Sequence, residues 1–214
     1  MSAGAGKQAL DQQAFINAAL SVISDVGVEK ISMRRVAAVL SVSPMAVYKH
    51  FSSKEELLTA ALDEFISRSD VFPDASLPWE QWMEHVVRAM YAALASEISW
   101  VPVLGSLRLG ENVTVVIDAF IEKLTGAGFT PEQSLQAFFS VIQLVIGAVC
   151  MKSSLQGALT PEGDAQVSPL TRAYLENPSA RRLEIAPLFN TVVQAAPLDH
   201  SLPLLIEGLR SRLT

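Results

Sequence analysis

The sequence contains few of the residue types that carry covalent or metal chemistry. It has one cysteine, Cys150, and three histidines among 214 residues. A single cysteine excludes an intrachain disulfide, and we expect its thiol to be buried in an apolar helix and inert. The histidines show no metal-ligand spacing, and no phosphate-binding glycine loop or Gly-x-Ser-x-Gly motif is present. These absences argue against an enzyme and predict neither a cofactor nor a metal site.

Long apolar runs and an export signal are also missing. The most apolar stretch, 137–151, is interrupted by Ser140, Gln143 and Gly147 and is shorter than the ~20 residues of a membrane span. No cationic segment followed by an apolar run opens the chain. Half of the residues are nevertheless apolar and the mean hydropathy is +0.32, so a large core can form. We predict a cytoplasmic protein without a membrane partner, in which 137–151 is covered by other helices or a second subunit.

The formal net charge of −6 is unevenly distributed along the chain. Residues 1–54 carry six cations and three anions, whereas the remaining 160 residues carry ten cations and nineteen anions. The first segment is therefore at +3 and the rest at −9. Because salt confines each field to ~8–10 Å, a locally positive end can meet a polyanion despite an acidic body.

Helical periodicity and the lack of strand-like alternation predict an all-α fold. We expect a flexible arm at 1–10, a three-helix domain at 11–52, a connecting helix at 53–68 and a larger helical domain at 69–214. A polar loop is predicted at 156–168. The individual helices are predicted at 11–26, 33–40, 44–50, 53–68, 79–97, 101–109, 113–124, 131–155, 170–175, 178–196 and 202–213.

The stretch 31–54 contains two short helices that begin with the same local signal. Ser32 and Ser43 are predicted N-caps, and Pro44 stands at the first position of the second helix. Ser41 and Val42 leave room only for a tight corner between them. Two capped helices on so short a turn predict a helix-turn-helix, whose second helix enters the DNA major groove.

The residues that this motif leaves exposed suit DNA. Hydroxyl, ammonium and imidazole groups bind phosphate oxygens, and small or apolar side chains at the helix start can meet thymine methyls. The predicted base contacts are Arg34, Ser43, Met45, Ala46 and Lys49. The predicted phosphate contacts are Ser32, Tyr48, His50 and Lys54, with Arg35 and Pro44 on the same surface.

The segment from about 15 to 65 resembles the DNA-binding domain of the tetracycline-repressor (TetR) family. The resemblance is carried by Gly27, Ser32–Ala37, Leu40–Ser43, Val47–Phe51 and Lys54–Leu58. The family usually has glycine where this chain has Ser41; if that residue is left-handed, the turn is strained by about 1 kcal/mol.

The rest of the chain resembles the ligand-binding domain of the same family at 128–132 and 205–209. The resemblance implies a homodimer paired through the helices at 131–155 and 202–213. It also implies a repressor that binds a double-stranded DNA operator and is released by an unknown small-molecule effector. The family's magnesium–tetracycline ligands would fall at Arg108 and Met151, which cannot play those parts.

An effector pocket among the helices of the larger domain is a further expectation. Its candidate residues are Trp82, Arg108, Phe120, Phe139, Gln143 and Met151; for each of them, plain core packing is the alternative. Gln143 is of most interest because a buried amide needs a partner. A helical carrier or adaptor without DNA binding is the rival function, although it leaves the cationic N-terminal domain unexplained.

Overall fold

The computed structural model describes residues 11–72, 75–157, 173–174, 176 and 179–213. Most of these residues are helical, and none of them forms a strand. Two short 3₁₀ helices lie at Val28–Lys30 and Ile98–Val103. The α-helices are α1 (Gln12–Val26), α2 (Met33–Val39), α3 (Pro44–Tyr48), α4 (Lys54–Arg68), α5 (Trp79–Ser96), α6 (Glu111–Gly126), α7 (Pro131–Gly157), α8 (Ala180–Gln194) and α9 (Leu198–Arg210).

The structure confirms the all-α prediction and corrects several of the predicted helix boundaries. The helix predicted at 101–109 is wrong: a 3₁₀ helix lies earlier, at Ile98–Val103. Helix α9 begins at Leu198 rather than at 202. The predicted arm at 1–10, most of the predicted loop at 156–168 and most of the predicted helix at 170–175 lie outside the described residues.

The chain divides into two compact units, and the first combines the chain up to Asp70 with Ser96–Ala119. Helix α1 packs on α2 and α4, and α2 packs on α3. Phe15, Val36, Val47 and Phe51 are fully or almost fully buried in its core, as is Trp100 from the later segment. The predicted functional domains divide the chain near residue 69, whereas the compact unit also includes Ser96–Ala119. The functional division therefore stays a prediction.

The second unit comprises Val71–Ala95 and the chain from Phe120 onward. Aromatic side chains form much of its core, since Trp82 lies 5.6 Å from Phe120 between ring centroids. Phe120 in turn lies 5.5 Å from Phe138. Edge-to-face packing of this kind adds to the burial of apolar surface.

Helix α7 is longer and more apolar than its sequence window suggested. Its Pro131–Ser154 segment is long and apolar enough to cross a membrane, and an 18-residue stretch of it has a mean hydropathy of 1.9 and is 39% buried. Core helices of soluble proteins have the same length and composition, so this is weak evidence for a membrane. One face is buried through Ala137, Val141 and Val145, while other apolar residues face outward. Cys150, predicted to be buried, is exposed on this helix.

Candidate nucleic-acid interface

The corner between α2 and α3 is closed by backbone hydrogen bonds. The Val42 N–H donates to the Ala37 carbonyl at 3.0 Å, and the Ser41 N–H donates to the Ala38 carbonyl at 3.1 Å. Ser41 has φ 54°, so the condition for a strained turn at this residue, a left-handed backbone, is met. Val47 of α3 is fully buried, which fixes the opposite face of α3 toward solvent.

The two predicted N-caps behave differently. The Ser32 hydroxyl accepts from the Arg35 N–H at 3.3 Å, as predicted. Ser43 does stand at the predicted N-cap position, but its hydroxyl makes no capping bond, so the predicted side-chain cap is wrong. The reason is local: the Ala46 N–H, which a cap would accept, already donates to the Ser43 carbonyl at 2.9 Å. The Ser43 hydroxyl is exposed and is left free for an external partner.

The α-helical part of α3 ends at Tyr48 rather than at the predicted His50. The next residues stay close to the helix, because the Lys49 N–H donates to the Met45 carbonyl at 3.2 Å. The His50 and Phe51 N–H groups both donate to the Val47 carbonyl at 3.0 Å. Residues 44–50 therefore form one continuous projecting turn.

The predicted DNA-contacting residues share one property, which is access to solvent. Met45 is 66% exposed and Tyr48 is 48% exposed. These exposed fractions are high for large side chains that could be buried in a core. Ser32 and Ala46 are half-buried. The other predicted contacts are exposed: Arg34, Arg35, Ser43, Pro44, Lys49, His50 and Lys54.

The arginines and Lys49 of this surface are exposed, and no carboxylate in the described part of the chain pairs with them. Among the described residues, Arg34, Arg35 and Lys49 take part in no ion pair. An unpaired, solvated cation can exchange its water and counterions for a phosphate, which is the main source of affinity for nucleic acid.

Two of the predicted phosphate contacts also touch their own fold. The His50 ring lies 4.9 Å from the Phe15 ring between centroids. The Lys54 ammonium lies 3.5 Å from the Glu29 carbonyl oxygen, a long contact that it can give up. These contacts hold both side chains at the edge of α3 and leave their phosphate roles as predictions.

The start of α4 is capped by two serines together. The Ser53 hydroxyl accepts from the Glu56 N–H at 3.1 Å. The Glu56 carboxylate accepts from both the N–H and the hydroxyl of Ser52, each at 2.6 Å. These two bonds from Ser52 lower the pKa of Glu56 below its usual 4.5. The Ser53 and Glu56 pair thus supplies one half of a capping box, whereas the Glu56 carboxylate reaches back to Ser52 rather than to the N–H of the N-cap residue Ser53.

Sequence reasoning missed one apolar residue of this surface. Val39 of α2 is 51% exposed. It stands four positions after Arg35, so the two share a helix face. The four-residue spacing from the exposed Arg35 could have indicated that Val39 is also exposed. The apolar character of Val39 is instead typical of a core residue.

The structure disperses the six candidate effector residues. Trp82 and Phe120 are buried and pack together in the second unit. Phe139 and Gln143 line a surface groove between α7 and α9, and Met151 is 59% exposed. Arg108 lies in the first unit, in a cleft beside Ser53 and Thr59. Their joint role in an effector pocket therefore stays a prediction.

No cluster of three or more potential metal ligands occurs in the part of the chain that the structure describes. The described histidines His50, His85 and His200 are likewise not grouped with carboxylates there. The chemistry available at the described surfaces is binding by charge, hydrogen bonds and apolar contact.

Comparison with known proteins agrees with this geometry. Residues 15–61 match the model of the family "Bacterial regulatory proteins, tetR family". The tetracycline repressor protein class A from transposon 1721 of Escherichia coli is 24% identical over 209 residues, which cover 95% of this chain and 92% of that protein.

Solved structures show the same fold. The TetR family protein ActR of Streptomyces coelicolor, in complex with (S)-DNPA, superposes with a TM-score of 0.78 at 19% identity, covering 95% of this chain and 98% of that one. BioQ with its double-stranded DNA operator gives a TM-score of 0.63 at 22% identity, covering 94% and 99%. At such identities the likeness is one of fold.

The helix-turn-helix and the family match assign residues 15–61 to the DNA-binding domain of the TetR family of bacterial regulatory proteins, and the full-length likeness to solved structures gives the rest of the chain the same fold as theirs. Proteins of this family bind DNA operators as dimers and respond to small-molecule effectors. The match is therefore that of a DNA-binding transcriptional regulator.

Proposed function

We propose that the protein is a homodimeric repressor that inserts residues 44–50 of each subunit into the major groove of a roughly palindromic operator. The observation that carries this proposal is the exposed α3 turn, which stands on a buried Val47 and is bordered by unpaired cations. Such a turn is rigid enough to read base edges and charged enough to find the duplex.

Within this proposal the surface divides into two roles. Arg34, Ser43 and Lys49, with Met45 and Ala46, contact base edges. Ser32, Tyr48, His50 and Lys54 hold phosphates and set the register of the helix in the groove. Arg35 adds charge, and Pro44 sets the start of α3.

Helices α7 and α9 form the proposed dimer interface. The two helices contact each other within the subunit. The groove between them is lined by exposed apolar side chains, among them Leu135 and Phe139 of α7 and Leu204 of α9. Leu204 is 74% exposed. Exposing an apolar side chain to water is unfavourable, and packing against a second copy of the same surface would remove that cost.

The effector is proposed to be a small organic molecule that binds the larger domain and lowers operator affinity. The effector shifts the equilibrium towards the conformation that has released DNA only as far as it binds that conformation more tightly than the DNA-bound one. Magnesium–tetracycline is not the proposed ligand, because Arg108 and Met151 replace its ligands. We further propose that the protein is cytoplasmic and has no catalytic activity, as expected of a transcriptional regulator.

Selection of bound sequences from random duplex DNA tests this function. We expect an inverted repeat whose half-sites lie ~34–36 Å apart along the duplex, or a multiple of that spacing. Lys49→Ala is expected to alter the selected sequence, whereas Arg181→Ala, which removes an exposed cation from α8, is the matched control that leaves it unchanged. Recovery of no motif would instead favour the helical carrier or adaptor.

A further inference from the structure

Tyr91 of α5 carries a hydroxyl group that has no hydrogen-bond partner in the described part of the chain. The oxygen of this hydroxyl is buried, although the residue as a whole is only half-buried. Nearly all buried polar atoms in folded proteins are paired, because a buried group has given up its bonds to water. The unpaired hydroxyl therefore indicates a partner from outside the described chain.

Lys152 of α7 lies against the same tyrosine, and both residues belong to the second unit. The lysine ammonium is 5.6 Å from the centroid of the Tyr91 ring, which is a cation–π contact. None of the ion pairs in the described part of the chain includes Lys152. Two donors, one of them charged, thus meet at one place without an acceptor.

The position of Lys152 on α7 is unusual for a cation. Val141, Val145 and Val149 form a buried row along this helix, and Lys152 continues the row three positions further on. The lysine itself is exposed, so its ammonium stands where the buried face of α7 opens to solvent. A ligand from solution can reach it there.

The acidic side chains of the same two helices are engaged elsewhere or lie far away. Glu80 and Glu84 of α5 each pair with an arginine, at 3.4 and 3.0 Å. The single acid of α7, Glu132, stands in its first turn. Since a helix rises 1.5 Å per residue, Glu132 lies roughly 30 Å from Lys152 along the helix axis. Neither helix supplies the counter-ion.

The side chains beside this pair are apolar. Val87 and Leu94, about one turn before and after Tyr91 on α5, are buried, and so is Val149 of α7. A charged group interacts more strongly with a counter-ion in such surroundings than in water. A ligand that matches both the donors and their neighbours therefore has an anionic end and an apolar body.

We propose that Tyr91 and Lys152 bind the carboxylate of an organic acid with an apolar body, and that such an acid is the effector. One carboxylate oxygen accepts from the Tyr91 hydroxyl, and the other pairs with the ammonium, which the flexible lysine chain brings to it. A neutral acceptor would satisfy the hydroxyl but would leave the ammonium without a counter-ion. The identification of the acid with the effector rests on the proposed function.

Isothermal titration calorimetry on the full-length protein at neutral pH compares benzoate, naphthoate and phenylbutyrate with their carboxamides. We expect at least one acid to bind, and its carboxamide to bind at least about tenfold more weakly, because a hydrogen bond to a charged group is worth about that factor. Lys152→Met and Tyr91→Phe should each lose about tenfold or more of the affinity for that acid. Lys152→Arg should retain most of it. Lys30→Met, which removes an exposed ammonium from the first unit, is the matched control and should bind as wild type.

The ligand-free protein supplies an independent measurement. Because the Tyr91 hydroxyl has no partner to lose, Tyr91→Phe should leave the melting temperature of the ligand-free protein unchanged or raise it. A fall in that melting temperature would show that the hydroxyl is already paired, and it would overturn the inference. A wild-type protein that binds no acid of the series, or binds acid and carboxamide equally well, overturns it too.

The role of the acid as effector is measured on the selected operator. Adding the acid that binds best should lower operator affinity by about fivefold or more in wild type and have little effect in Lys152→Met. An unchanged operator affinity in wild type overturns the effector assignment. Selection of an operator by a protein that binds no acid overturns this inference alone, whereas acid binding by a protein that selects no duplex overturns the proposed function and retains the carboxylate site.

Discussion

The backbone N–H of Val28 donates to the hydroxyl of Ser99 at 3.1 Å, across 71 positions of sequence. The same hydroxyl donates to the Glu97 carboxylate at 2.6 Å. This pair joins the turn before the helix-turn-helix to the 3₁₀ helix Ile98–Val103. It explains why a segment from the middle of the chain belongs to the N-terminal unit.

Replacing Ser99 with alanine leaves the buried Val28 N–H without its acceptor. We expect the free energy of unfolding to fall by about 1–3 kcal/mol, the cost of an unsatisfied buried donor. Urea denaturation measures it. Ser106→Ala, which removes an exposed hydroxyl bonded to the Val103 carbonyl, is the control and should cost less. Equal losses in the two variants would contradict the assigned role of Ser99.

Ser41 adopts a left-handed conformation that glycine tolerates better. We expect Ser41→Gly to stabilise the protein by up to about 1 kcal/mol, since relief of about 1–2 kcal/mol of strain outweighs the extra chain entropy of glycine. Ser43→Gly, at a residue with φ −74° and no capping bond, should instead destabilise it slightly. Urea denaturation distinguishes the signs, and a loss of stability in Ser41→Gly would refute this explanation.

The Glu56 carboxylate makes stability depend on acidity. Its folded pKa lies below the 4.5 expected for an unpaired glutamate, because it accepts two bonds from Ser52. The stabilisation is fully present above pH 4.5 and is lost as the pH falls through the lower, folded pKa. The free energy of unfolding of Glu56→Gln should therefore be below that of wild type above pH 4.5, and the difference should shrink as the pH falls below 4.5. A difference that stays constant from neutral to acidic pH would contradict this.

Lys49 and Lys54 are expected to differ in what they read. Lys54→Ala should weaken binding to all duplexes alike and reduce the salt dependence of the binding constant by about one unit of slope. Lys49→Ala should change the order of preference among operator variants by about 1–3 kcal/mol. Binding titrations on a panel of single-base variants at several salt concentrations separate the two. If both substitutions lower affinity equally on every variant, the role assignment is wrong.

The apolar groove between α7 and α9 predicts the oligomeric state. Phe139→Glu and Leu204→Glu each place a charge on a face proposed to be buried between two copies, so both should yield monomers in analytical ultracentrifugation. Val115→Glu changes a similarly exposed apolar residue, 49% accessible, on α6 and should leave the dimer intact. Dimers that survive both groove substitutions would place the interface elsewhere.

The local features of residues 31–54 could be predicted from sequence because they depend on neighbours a few positions apart. The cap of Ser32, the tight corner at Ser41 and Val42 and the outward face of α3 follow from side-chain spacing and turn length. The start of α7 is equally local, with reciprocal bonds between Thr130 and Gln133 at 2.8 and 3.2 Å. Two local details departed: the Ser43 carbonyl took the N–H that its hydroxyl was expected to bind, and α3 ends at Tyr48 rather than at His50.

The contacts that tie distant segments together were decided by the tertiary structure. No periodicity indicates that Ser99 satisfies Val28, or that Asp63 caps α6 in place of Gly110. Patterning also could not show which apolar residues of α7 would face outward, since Phe139 and Val141 are equally hydrophobic and differ only in what lies opposite them. Sequence alone therefore determined the helix-turn-helix at residues 31–54, because the interactions that form it act between residues a few positions apart. The long-range packing decided how that motif is held, because it depends on partners that the chain brings together only by folding.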